Sequence, residues 1–416
     1  MTDRRLRASS PTRTEEPGHS MTRILDGIRI VEQGTFITGP CAAMMLADLG
    51  ADVIKVEAKG NGDPYRSFKD GFYSAHFQAY NRNKRAIGLD LKDKADRDVF
   101  YALVAQSDVY IQNFRPGAAA RIGADFETLS GINPKLVYCS ISGFGPDGPY
   151  AQRPVYDSVA QAVSGFLSVA IDPQQPRFIG PALADAITGI YASLGISAAL
   201  LERSRTGRGR RVDVSMLEAM MHFAVEPFMG YFALGEEPSG TDRPRLAQAY
   251  IMRCRDGKLF AFHLSSIEKF WDALVEAVEA PHLAADPRFS TRLARIDNYD
   301  ALNEALNAIF ATRDRSEWTE RFSGFDVPFA PINSIADAIS DPQAMHMGMI
   351  VPVAGRVEGA HRSVRPAHSF DGVRADKVEA APVIDQHGAA IRAALARAPG
   401  AWPQREADMV PAAQMA

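Results

Sequence analysis

Cysteine is scarce in this chain. Three thiols, Cys41, Cys139 and Cys254, are spread over 416 residues with no CxxC pair. An odd and scattered set argues against a disulfide framework or a structural zinc, and fits a reducing, cytoplasmic setting. A dominant charge is missing too: the net charge is −4, so the whole-protein field gives no reason to expect nucleic acid. No stretch approaches the ~18 uninterrupted apolar residues of a membrane span. The opening MTDRRLRASSPTRTEEPGHS has no apolar run of the kind a secretory signal needs. It reads as disordered, with Met21 as a second candidate start.

The familiar ligand motifs are absent as well. GTFITGP follows an apolar run and precedes a helical pattern, where a dinucleotide fingerprint would sit, but it lacks the GxGxxG spacing. There is no GK[ST], no HExxH and no GxSxG elbow, and the nine histidines form no cluster with carboxylates at metal-ligand spacing. These absences argue against NAD, ATP, zinc and serine-hydrolase chemistry.

What is present is an ordinary globular composition, 46% hydrophobic and 23% charged, in a chain long enough for two domains. From Ile24 to about Asp213 strand and helix patterns alternate. IRIVEQG, ADVIKVE, DVYIQNF, LVYCSISGFG and RRVDVSM read as strands; GPCAAMMLADLG and DKADRDVFYALVAQS read as helices. That alternation implies βαβ crossovers and a mostly parallel sheet. After about Pro238 the texture changes. YIMRCRDGKLFAFHL predicts a hairpin turning at Asp256-Gly257, and IEKFWDALVEAV and YDALNEALNAIFA predict amphipathic helices of a smaller α+β unit. Past Asp341 come short strands such as MIVPVAG and the helix QHGAAIRAALARA.

Two features invite chemistry. YNRNKRAIGLD presents Arg82, Lys84 and Arg85 together, and QNFRPGAAARIG presents Arg115 and Arg121 around a Pro-Gly turn. Such cations form either a solvated face or a site for phosphate. The second is GPALADAITGIYASLGISAALLERSRTGRGRRVDVSM. It sets a single acid, Asp185, at the mouth of a run of small and apolar residues, with no other charged residue until Glu202 and Arg203. Position alone makes Asp185 a helix N-cap. A helix start also favours an ionised carboxylate, the form a nucleophile needs.

These segments resemble the class III coenzyme A transferases of the CaiB/BaiF type, relatives of formyl-CoA and carnitine CoA transferases. LDGIRIVEQGTFITGPCAAMMLADLGADVIKVE, NRNKRAIGLDL, DVYIQNFRPGAAARIG, NPKLVYCSISGFGPDGPY and LADAITGIYASLGISAALLERSRTGRGRRVDVSM carry the likeness, in order, from about Leu25 to about Ala396. The resemblance implies an α/β fold: a Rossmann-like, mostly parallel large domain plus a smaller α+β domain, in an interlocked homodimer. It implies a disordered extension over 1–22 and a CoA-binding large domain beginning at 23–225. A small domain with linkers follows over 226–338, then a returning segment over 339–400 and a loose tail over 401–416.

The same resemblance makes Asp185 the nucleophile for CoA transfer from an acyl-CoA to a carboxylate, through an aspartyl anhydride and an aspartyl-CoA thioester. Metal and redox cofactors are not required, and neither nucleic acid nor membrane is a partner. Ile37, Tyr156 and Asp157 match the substrate pocket. Thr35, Phe36, Thr38, Lys59, Lys84, Asn113, Phe114, Arg121 and Ile122 match CoA-contacting positions. Departures are visible. Ala58 stands where formyl-CoA transferase has an Arg, Ile37 where it has an active-site Gln, and FHLSSIEKF where it has a tetraglycine loop. They point to a different, larger or more apolar acyl group. The rival of the same fold, 2-methylacyl-CoA racemase, pairs His with Asp where this chain has Tyr156-Asp157. A tyrosine of ordinary pKa, about 10, is a poor partner for two-sided proton transfer. A non-catalytic CoA-binding protein would have no use for Asp185.

Overall fold

Short apolar runs alternating with amphipathic helices build a single parallel sheet. β1 (Arg29–Glu32), α1 (Thr38–Asp48), β2 (Asp52–Ala58), α2 (Ala75–Asn81), β3 (Lys84–Leu89), α3 (Lys94–Ala105), β4 (Val109–Gln112) and β5 (Val137–Ser142) follow in order. Next come α4 (Asp157–Val163), α5 (Leu183–Thr206), β6 (Arg210–Ser215) and α6 (Met216–Phe223). The computed structural model describes residues 23–69, 71–178, 180–265, 267–355 and 359–405. The disordered extension expected over 1–22 and the tail beyond 405 lie outside the described residues.

The six strands order as β3-β2-β1-β4-β5-β6, and every pairing is parallel. Successive residues serve opposite faces. Ile30, Val53 and Val109 meet Ala42, Leu46, Ala192 and Ile196 on one side. Val31, Ile54 and Tyr110 meet Phe100, Leu103 and Ile391 on the other. Because strand order reverses between β1 and β4, the loops leaving those two strands face each other across a crevice, the usual ligand position in such sheets.

α5, 24 residues long, passes for a membrane span by length and composition alone. Its apolar side instead packs into the sheet's core. At Gly189 the helix lies so close to α1 that a Cβ would stand 2.8 Å from the Cys41 sulfur and 3.1 Å from the Thr38 carbonyl oxygen. The small residues after Asp185 are thus a packing requirement between two helices.

One strand differs from expectation. KRAIGL, read above as part of a basic loop, is β3, with all six of its residues buried. Its two basic side chains turn inward: Lys84 meets Glu32 at 3.2 Å and Arg85 meets Asp52 at 2.8 Å, while Arg82, before the strand, pairs with Asp48 at 2.6 Å. The two cations at its start masked the run as a strand.

Past α6, α7 (Val225–Leu234) is apolar yet buries no residue. β7 (Ala249–Arg253) and β8 (Leu259–His263) form the expected hairpin, joined by β9 (Phe329–Pro331). α8 (Ile267–Ala277), α9 (Tyr299–Phe310) and α10 (Arg315–Phe322) accompany this sheet. The unit has its own core around Phe260, Phe262, Trp271, Phe310, Trp318 and Phe322. β10 (Ile350–Ala354), β11 (Arg362–Val364) and β12 (Val378–Glu379) form a third sheet, and α11 (Gly388–Arg397) follows.

The C-terminal segment seals the β3 edge. The Ala86 amide donates to His387 Nδ1 at 3.1 Å, the His387 amide donates to the Ala86 carbonyl at 3.0 Å, and the Gly88 amide donates to Asp385 at 2.8 Å. The expectation of a loose tail from residue 401 is corrected over 401–405. Trp402 is buried and donates its indole N–H to Asp52 at 2.8 Å, and Arg405 donates to the same carboxylate at 3.1 Å. Trp402→Ala is expected to lower folding stability by about 3 kcal/mol in urea titration; an unshifted midpoint would return these residues to a loose tail.

Candidate active site

The crevice between β1 and β4 is closed by one side chain. Asn113, just past β4, accepts the Thr35 amide at 2.9 Å through Oδ1. Its Nδ2 donates to the Thr35 carbonyl at 2.7 Å and to Thr38 Oγ1 at 2.9 Å. An amide carrying both donor and acceptor is the group such a clamp requires. Thr35, Thr38 and Asn113, all expected at the ligand, are therefore brought together, with the Thr35 backbone, the Thr38 hydroxyl and the Asn113 amide engaged in holding the loop.

Phe36 sits in this loop at φ 58°, a left-handed conformation costly for a residue with a bulky side chain. Its amide donates to Asp63 Oδ1 at 3.0 Å, which holds it there. The Phe36 ring lies 5.8 Å from Tyr65 and 5.8 Å, edge-on, from Tyr156. Ile37 is buried with Cys41 and Tyr65, and Ala182 at the start of α5 packs on this cluster. Asp63 escaped the sequence reading; its one signal was an acid directly before Pro64, a helix-start pattern.

Below the loop lies a sealed ion cluster. Lys55 Nζ meets Glu32 at 3.1 Å, Asp63 at 3.1 Å and the Gly34 carbonyl at 2.8 Å. Lys84 Nζ meets Glu32 at 3.2 Å and donates to the Pro40 carbonyl and to Asn81, both at 2.9 Å. The expectation that Lys84 contacts CoA is corrected here. Its side chain has 0% exposure, and every proton it carries is already donated within the protein. Burial pushes its ammonium down to about 8, with Glu32 opposing the shift.

Lys59, directly after β2, is exposed and pairs with Asp96 at 3.3 Å. Lys92, just beyond β3, is exposed at the same carboxyl rim and was missed because β3 was. Arg121 is exposed at the end of a short helical turn, Ala118–Arg121. Phe114 is half-buried, its amide donating to Gln112 at 2.6 Å, and Ile122 packs into the core under the sheet.

Asp185 is the third residue of α5. The residue before the helix is Ala182, so Asp185 is not the N-cap that its position invited. The capping role falls to Asp157, which opens α4. Asp157 Oδ1 accepts the Ala184 amide at 2.7 Å and the Asp185 amide at 3.3 Å, while Oδ2 accepts from Gln161 at 2.6 Å. Asp157, expected in the substrate pocket, is spent on the helix; Tyr156 beside it is exposed.

The expectation that the helix start keeps Asp185 ionised is also corrected. Burial, then the Asp157 charge, push its carboxyl up to about 7. The groups that sense it, Cys41, Tyr65 and Tyr80, supply no positive charge. Among the described residues no three His, Cys, Asp or Glu side chains gather as a metal site.

Comparison with known proteins agrees with this architecture. CoA-transferase family III matches residues 25–388. The acetyl-CoA:oxalate CoA-transferase of Acetobacter aceti is 35% identical over 373 residues, covering 88% of this chain and 94% of that protein. The succinyl-CoA:glutarate CoA-transferase of Mus musculus is 32% identical, covering 87% of this chain and 84% of its own. The crystal structure of a CaiB/BaiF family protein from Brucella suis superposes with a TM-score of 0.80 at 35% identity, over 90% of this chain and 99% of that one. The chain belongs to CoA-transferase family III. It is a CoA-transferase built on a doubly wound α/β sheet.

Lys84→Met tests the corrected role. Removing one partner of a buried ion pair should cost roughly 3 kcal/mol in chemical denaturation. The CoA affinity of the folded variant, measured by calorimetry, should stay within about twofold. A tenfold loss of affinity without loss of stability would return Lys84 to the ligand.

Proposed function

We propose that the protein moves coenzyme A from an acyl-CoA to a free carboxylate, with Asp185 as the covalent carrier. The observation that supports this reading most is the placement of Asp185. It stands at the start of α5, beside the β1 and β4 crossover loops, in a half-buried setting whose nearest charge is another acid. Among the described residues no ion pair explains a carboxylate there.

A balanced sequence follows. Asp185 Oδ attacks the thioester carbonyl, the C–S bond breaks, and CoA leaves as thiolate from an aspartyl–acyl anhydride. The thiolate attacks the aspartyl carbonyl, releasing the donor acid and leaving an aspartyl-CoA thioester. The acceptor carboxylate attacks that thioester and frees the thiolate again. The thiolate then takes the acceptor's acyl carbon and restores the Asp185 carboxylate. Each addition places negative charge on an oxygen that backbone N–H groups of the crossover and glycine-bearing loops would stabilise.

Lys59, Lys92 and Arg121 are assigned to the CoA phosphates as exposed cations of the carboxyl rim that the crossover loops share, where Arg115 is exposed as well. Relatives are named for oxalate, glutarate, mesaconate and L-malate, all dicarboxylates. We assign the same acceptor class here. Arg153, which lies 4.3 Å over the Tyr150 ring, is offered for the second carboxylate. A second copy of the chain covers α7, whose Val225, Met229, Phe232 and Leu234 are exposed.

Two outcomes test the assignment. Asp185→Ala should lower CoA transfer, followed by mass spectrometry across acyl-CoA and dicarboxylate pairs, by roughly 10⁴-fold or more while the protein stays folded. Hydroxylamine added during turnover should modify Asp185 in the unmodified protein. Near-normal transfer by the variant, or rapid α-deuterium exchange of a 2-methylacyl-CoA in D₂O without CoA transfer, would overturn the reading. Lys92→Ala and Arg121→Ala should each raise KM for acyl-CoA roughly tenfold with a smaller fall in kcat. An unchanged KM would make them surface charges.

A further inference from the structure

The start of α5 is a ready-made anion site, since the first amides of a helix point outward without intrahelical partners and carry the positive end of its dipole. Asp185, in the first turn, is placed to benefit from it. Asp157 gets there first. Its Oδ1 takes the Ala184 and Asp185 amides, and its Oδ2 is held by Gln161, one turn along α4. Two carboxylates therefore stand at one helix terminus, and only one of them is hydrogen-bonded to it.

We propose that Asp157 is a positioning residue for the transfer reaction: it occupies the helix start in place of Asp185, fixes the angle at which α5 presents that carboxylate to the crossover loops, and leaves it without a compensating donor. This goes beyond the assignment of Asp185 as nucleophile and rests on it for its catalytic meaning.

The groups that couple to Asp185 agree: α4 supplies the Asp157 carboxylate, α1 supplies Cys41, the turn at 64–67 supplies Tyr65, and α2 supplies Tyr80, and among the described residues no cation joins them. α6, packed on the same end of α5, carries Glu218, which accepts the Ser215 hydroxyl, and His222, whose ring bonds the Tyr191 hydroxyl. The carboxyl is accordingly pushed up to about 7, by burial first and Asp157 second. The sign is definite. As pH rises through 7 Asp185 becomes the anion that can attack, and removing the Asp157 charge moves that ionisation to lower pH. A nucleophile of raised basicity binds the proton, and by the same token the acyl carbon, more strongly than an ordinary aspartate.

The test uses the full chain and needs no substrate for its first readout. A water-soluble carbodiimide with glycinamide modifies protonated carboxyls, and peptide mass spectrometry reads the labelling of Asp185 against pH. Asp157→Asn keeps an oxygen for the helix amides, and Gln161 can turn its amide to match. It removes only the charge. The midpoint should fall by about one unit in Asp157→Asn, and further in Asp157→Ala, where the amides become free to reach Asp185. The low-pH limb of kcat/KM for succinyl-CoA and glutarate should move with it. A lowered melting temperature with an unmoved midpoint would make Asp157 a structural cap only and overturn the proposal. If Asp185→Ala retains transfer while the midpoint shifts, the nucleophile assignment fails and the positioning of Asp185 by Asp157 stands.

Discussion

The site depends on four charges buried together across three neighbouring strands and the turn after the second. Glu32 on β1 faces Lys55 on β2 and Lys84 on β3, and Asp63 closes the group from the following turn. Isolated, each charge would be prohibitively costly to desolvate; together they balance. What the cluster achieves is local. Glu32 accepts the Gly34 amide at 2.8 Å, Lys55 donates to the Gly34 carbonyl at 2.8 Å, and Asp63 holds the Phe36 amide at 3.0 Å. The first crossover loop is thereby anchored from beneath at both of its turns, and Asn113 fixes it from the side. A loop held at so many points keeps its shape without a ligand.

Much of the large sheet was legible because periodicity is a local signal. Five of its six strands, the hairpin at Asp256-Gly257 and the helix carrying Asp185 all follow from alternation and from glycine punctuation. β3 was not legible, because its first two residues are Lys84 and Arg85, and charged side chains ordinarily mark a surface. Their counter-charges lie 52 and 33 residues away, at Glu32 and Asp52, so no window of sequence could pair them. Family likeness named candidate site residues but not what each touches: Lys84 and Thr38 are bonded within the protein, and Asp63, which holds the Phe36 amide, left only a faint mark in the sequence.

The acid in the first turn of α5 is isolated only in sequence. Its partner is another acid, Asp157, brought to it by the packing of α4 on the start of α5. Reasoning from the helix dipole alone put the two effects in the wrong order: burial and a like charge outweigh a dipole whose donors are already engaged. The same arrangement engages the Ala184 and Asp185 amides at the start of α5.

The edge of β3 has a consequence for biosynthesis. Its covering groups, Asp385 and His387, lie 297 and 301 residues downstream of the amides they accept. Translation at ~5–20 residues per second leaves roughly 15–60 s between the emergence of the strand and of its cover. Throughout that interval the nascent sheet exposes an unpaired, apolar edge, the feature that templates association between chains. The segment that covers β3 is thus made long after the strand itself, and chains terminated before it would be left with the edge open.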